Sequence, residues 1–196
     1  MSALTHDKLY SLEQYSRIRP EFRAKVIEHK KIRRVAIGDH AALYFEDELT
    51  MKYQVQEMLR LERMFEAEAI QDELDVYNPL IPDGSNWKAT FMVEYEDEQE
   101  RKQALARLIG IEKAVWVQVA GHAKMRPIAN EDLERETEDK TASVHFLRFE
   151  LTPEMVAAVK QGAAIHAGVD HPAYRAECRI AEETRASLAD DLQQPA

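Results

Sequence analysis

A single cysteine, Cys178, stands among the 196 residues. That excludes an internal disulfide and every zinc or redox motif built on a CxxC pair, and a reducing cytosol is the expected compartment. Apolar runs are short: none approaches the ~20 residues that span a bilayer. The opening residues, MSALTHDKLYSLEQY, lack the apolar segment of a secretory signal. The expectation is a cytoplasmic protein without membrane contact. Motifs that cradle phosphates or cofactors are also absent, with no GxGxxG, no GxxxxGK followed by Ser or Thr, no HExxH and no GxSxG. Nor does ExxH occur: Glu57 is followed at i+3 by Arg60, and Glu62 by Phe65. A ferritin-like diiron bundle, which needs that spacing, is therefore excluded. The net charge of -10 opposes nucleic-acid binding, because most of the surface repels phosphate.

What is present suffices for a real core. Hydrophobic residues make up 45% and charged residues 32%, a globular balance. Two parts of one compact unit are expected: residues 1–80 with an N-terminal helix, a hairpin and a long helix, and residues 81–196 with an α+β arrangement and a C-terminal helix. Pro20 suits a first helical turn, with Phe22, Val26 and Ile27 as the apolar side that follows. In RRVAIGDHAALYFED the period changes to two, so a hairpin turns at Gly38-Asp39 and Ala41, Leu43 and Phe45 share a face. A long helix then runs from about Thr50 to Tyr77, where NPLIPDG breaks it.

From Lys88 onward the pattern reads strand (KATFMVEYED), helix ending at Gly110, strand (EKAVWVQVAG), strand (141–151), helix (TPEMVAAVKQG) and short strand (AAIHAG). That is the split βαβ, ferredoxin-like order, an antiparallel sheet under two helices. The polar stretch 122–140 is placed as an exposed loop, and GVDHP as the turn into a final helix over 173–188.

One residue conflicts with its surroundings. At 100° per residue Met51, Val55, Met58, Glu62, Phe65 and Ala69 form one stripe, and a carboxylate there needs a partner. Three answers stay open for Glu62: an internal cation such as Arg148 or a helix edge less buried than the wheel suggests, a metal ion or proton-handling role, and an intersubunit contact. His145 shares a strand face with Leu147 and Phe149, and reads as a core histidine or a ligand. His171 lies beside Asp170, which either orients the imidazole or caps a helix. Glu57, Glu62, His145 and His171 together would supply the N and O ligands that suit iron or zinc. Cys178, four residues after Tyr174, reads as a packed thiol on the last helix. Between Arg17 and Arg34 eight cations face two acids, a patch for an acidic partner or for the acidic remainder of the chain.

With KIRRVAIGDHAALYFED, YQVQEMLRLER, YNPLIPDG and GVDHPAY in view, nearly the whole chain resembles a bacterial domain-of-unknown-function family, number 3501. The resemblance brings no activity and no catalytic residue. It draws interest to the motif positions Gln54, Glu57, Arg60, Glu62, Asp170 and His171. Members are often encoded near a rubrerythrin and an iron-sulfur oxidoreductase of the heterodisulfide-reductase type, which implies a redox or peroxide-defence setting. The function expected is thus an accessory component of a redox or oxidative-stress system that docks a redox protein or its own copy. The alternative is a metal-dependent enzyme or metal-binding module using Glu and His ligands.

Overall fold

Ser11 starts the first helix: its hydroxyl accepts the Gln14 amide N–H while the Gln14 side chain accepts the Ser11 N–H. This reciprocal cap satisfies two donors that a helix start leaves orphaned. In the computed structural model, which describes residues 3–133, 135, 137 and 139–193, helix α1 spans Leu12–Lys31. Pro20 therefore stands inside the helix and not in its first turn. A mid-helix proline leaves the carbonyl four residues back without its N–H, and Ser16 and Pro20 are both exposed, so water can serve it. The hairpin follows as expected: β1 (Arg34–Ala36) pairs antiparallel with β2 (Ala41–Phe45) around Gly38, whose φ of 69° suits glycine. Ala41, Leu43 and Phe45 are all buried.

The expected long helix is two. Helix α2 covers Glu48–Glu62 and α3 covers Ala67–Tyr77. Arg63 between them is left-handed (φ 53°, ψ 42°), and its N–H and that of Met64 both return to the Leu59 carbonyl. A non-glycine residue in this conformation costs about 1–2 kcal/mol. Packing outweighs the cost, because the reversal brings Leu74 of α3 onto Met51, Val55 and Leu59, in a small core completed by Leu4 and Ile81. The stripe that seemed to bury Glu62 does not exist beyond the break. Glu62 is exposed, and Phe65 is 73% exposed.

Downstream come β3 (Asn86–Val93), α4 (Glu98–Arg107), the single turn α5 (Ile111–Ala114) and β4 (Val115–Val119). The polar 122–140 stretch contributes a two-residue strand, β5 (Ile128–Ala129). Then follow β6 (Val144–Glu150), α6 (Pro153–Lys160) and β7 (Ile165–His171). The class is α+β with antiparallel pairing throughout, and the expected strand, helix, strand, strand, helix, strand succession is present with α5 and β5 inserted. The pairing differs from one ferredoxin-like sheet. Five strands run in the order β1-β2-β3-β6-β5, and three in the order β4-β7-β8, β8 being Tyr174–Arg179. The hairpin explains the division: β2 and β6 occupy both edges of β3, so β7 pairs with β4 instead.

The C-terminal helix is shorter than expected. Residues Tyr174–Arg179 are strand β8, joined to β7 through Pro172 and Ala173, and α7 covers only Glu182–Asp190. Cys178 is thus a half-buried strand residue, its thiol pKa pushed up by burial. Both sheets face one core, where Leu43, Trp87 and Phe91 meet Val117, Ala167 and Val169. Gly168 is required there, since a Cβ would lie 2.3 Å from the Trp116 ring. Helix α7 is fastened to the sheet by the Trp87 indole N–H, which donates to the Leu188 carbonyl at 2.9 Å.

Candidate functional site

The residues singled out from the sequence have separate employments. Glu57 fastens α2 to α1: it accepts the Tyr15 hydroxyl at 2.8 Å, two Arg19 N–H groups at 2.7 and 2.9 Å, and Arg60 at 3.2 Å. The Arg19 hydrogen bonds hold its carboxyl at about 2 against the upward push of burial. Arg148, the cation considered for Glu62, pairs with Glu131 and Glu150. His145 is fully buried. Its Nδ1 accepts from the Asn130 amide at 3.0 Å, and its Nε2 lies 2.9 Å from the Ala142 carbonyl and 3.1 Å from the Thr141 hydroxyl. His171 lies 3.0 Å from the Ile109 carbonyl through Nε2 and accepts the Ala173 N–H at Nδ1, so it holds the β7–β8 turn. Asp170 pairs with Lys124 and Arg126 and not with His171.

None of the interactions described links Glu57, Glu62, His145 and His171 to one another. Among the described residues no three His, Cys, Asp or Glu side chains gather as a set that could hold a metal. The basic stretch is largely consumed within the chain: Arg19 pairs with Glu57, Arg33 with Asp191 and Arg34 with Glu94.

A site that the sequence reading missed lies between the helical unit and the outer face of the five-stranded sheet, in a cleft of about 440 Å³. Its floor follows from strand register. Tyr44, Thr90 and Phe146 stand abreast across β2, β3 and β6, with Met92 and Val144 in the next row. From the helices, Met51 and Gln54 of α2 and Tyr77 at the end of α3 close over it. Of the candidate site residues named from the sequence, only Gln54 lines this space.

Glu46 carries the chemistry of the cleft. It sits where β2 passes into α2, one residue before the helix cap Asp47, and is 8% exposed. The Thr50 hydroxyl accepts the Asp47 N–H and gives its own proton to Glu46 Oε2 at 2.6 Å, while Thr90 donates to Oε1 at 2.8 Å. Both carboxyl oxygens thus take a hydroxyl partner close to the start of α2, where the helix dipole favours negative charge. Yet among the described residues no cation pairs with it. Arg33, which also lines the cleft, donates to the Glu46 main-chain carbonyl and pairs with Asp191 at 2.6 Å and Asp47 at 3.5 Å. Lys30 at the rim holds its ammonium 5.9 Å from the Tyr53 ring. No sequence signal pointed here, because FED reads only as the end of a hairpin until α2 folds back over it.

Two antiparallel sheets on one core, with a helical unit and a cleft between that unit and the five-stranded sheet, define an α+β protein with a concave surface. The chain belongs to the family described as protein of unknown function, DUF3501, whose model matches residues 3–192. It is similar to a novel protein of unknown function from Burkholderia pseudomallei known from a crystal structure, with 52% identity and a TM-score of 0.92 over 98% of this chain and 100% of that one. No curated protein matches the chain.

Proposed function

We propose that the protein is a cytoplasmic accessory component of a redox or oxidative-stress system that takes up a small ligand in the cleft and docks a protein partner or a second copy of itself. One observation carries the ligand-binding part: the Glu46 carboxyl is buried, lines a cavity, and among the described residues has two hydroxyl partners but no ion pair. An uncompensated buried charge is costly, and such groups concentrate where a ligand supplies the missing partner. The redox setting comes from the resemblance to family 3501. The docking role is supported by the exposed Leu61 and Phe65 at the break around Arg63, and by the exposed Val76 next to Tyr77, which lines the cleft. Occupancy of the cleft would thereby reach a surface suited to a partner.

Native mass spectrometry of the full chain, purified without an affinity tag, tests the reading. A co-purifying adduct that Met92→Trp removes supports it. A bare chain, with an unfolding temperature unmoved by any amphipathic small molecule, contradicts it. Adding a purified redox partner should shift the elution volume, and salt should weaken that shift. Unchanged elution across a wide concentration range counts against docking.

A further inference from the structure

We propose that the ligand of the cleft is a small primary amine, bound as its ammonium, whose apolar body lies over the Met92 and Phe146 floor. The inference rests on the ligand-binding reading and adds the chemical class. Glu46 has acceptor capacity to spare: each carboxylate oxygen offers two lone-pair sites, and Thr50 and Thr90 occupy one each. An ammonium brings the compact positive charge and the donors that those sites lack. A carboxylate or phosphate would meet Glu46 with like charge, and Arg33 in the lining is already paired with Asp191, while the Lys30 ammonium stands 5.9 Å from the Tyr53 ring. A bare metal ion would find only one carboxylate, since no set of three ligating side chains gathers among the described residues.

The apolar body follows from the rest of the lining. Met51, Met92, Val144 and Phe146 line the same space as Glu46, and methionine and phenylalanine side chains accommodate aromatic or aliphatic groups of varied outline. The body need not be short. A second cleft of about 530 Å³ shares Tyr77, Leu80 and Phe146 with the first, so concave surface extends to the far side of Phe146. The site therefore discriminates at one end by charge and at the other by apolar contact.

Isothermal calorimetry of the full chain with three probes of one shape tests the assignment: 3-phenylpropylamine, 3-phenylpropanol and 3-phenylpropanoate. The amine should bind at least about tenfold more tightly than the alcohol, and the carboxylate should give no heat. Glu46→Gln should reduce the amine to the level of the alcohol. Met92→Trp, which fills the cleft without touching Glu46, should abolish both, and it carries the test together with the order of the three probes if Glu46→Gln does not fold. Alcohol or carboxylate binding as tightly as the amine overturns the amine class while leaving a ligand-binding cleft. No binding by any of the three also overturns it, whereas the wider reading falls only when the native mass spectrum is bare as well.

Discussion

Arg33 and Asp191, 158 positions apart in the chain, share two hydrogen bonds, Nη1 to Oδ1 at 3.2 Å and Nη2 to Oδ2 at 2.6 Å. They join the start of the hairpin to the end of α7, and the guanidinium is 2% exposed. Asp191→Ala leaves that guanidinium buried without its main counter-charge and should cost about 3–5 kcal/mol in urea unfolding. The double variant Arg33→Met with Asp191→Leu should recover most of the loss, because it removes both charges together.

Asp191 also makes stability depend on pH. Burial, opposed by Arg33, pushes its pKa from 3.8 up to about 6. A raised pKa means that the folded chain holds the proton longer than the unfolded one. The contribution is fully present below about pH 3.8 and is lost as pH rises through about 6. Subtracting the stability curve of Asp191→Asn from that of the parent should isolate this slope, and parallel curves between pH 4 and 6 would contradict it.

Glu57 acts with the opposite sign. Its pKa is held at about 2, below the ordinary 4.5, chiefly by Arg19. Its contribution is present above pH 4.5 and disappears as pH falls toward 2. Glu57→Gln should lower stability by about 1.5–3 kcal/mol at neutral pH and flatten the acid limb of the unfolding curve.

The residues first suspected of binding metal should divide sharply. His145→Ala empties a fully buried position and strands the Asn130 and Ala142 polar groups, so it should destabilise by about 2–4 kcal/mol. Glu62→Ala changes an exposed side chain and should stay within about 0.5 kcal/mol. Equal losses in thermal unfolding would show that Glu62 has a partner after all.

Arg63 offers a backbone test of the reversal between α2 and α3. Arg63→Gly relieves the left-handed conformation and should be neutral or stabilising by up to about 1 kcal/mol, whereas the β-branched Arg63→Val should cost about 1–2 kcal/mol. Similar losses for both would mean that the arginine side chain, and not its backbone, holds the turn.

Period and turn chemistry made much of the fold legible. The alternation through Ala41, Leu43 and Phe45, the core position of His145 and the main strands and helices between Lys88 and Ile165 all follow from it. The misses have physical causes. Arg63 stops a helix without glycine or proline, so nothing local marked the break that exposes Glu62. Tyr174 and Cys178 are four apart, which satisfies a helical face and a strand face alike; the outward Arg175, Glu177 and Arg179 decide for the strand. Which strands pair was not written locally, since it depends on the hairpin claiming one edge of β3. The cleft was hidden for the same reason: Glu46, Gln54, Thr90 and Phe146 converge only through tertiary packing. Gln54 was singled out, but as a neighbour of Glu57 and Glu62 and not of Glu46.

The most direct measurement of the central claim is an amide chemical-shift titration of the full, isotope-labelled chain with 3-phenylpropylamine. The account predicts saturable shifts confined to the cleft, at residues such as Tyr44, Glu46, Gln54, Thr90 and Phe146, and their loss in Met92→Trp. Shifts scattered over the surface, or none at concentrations where the unfolding temperature also stays fixed, would contradict it.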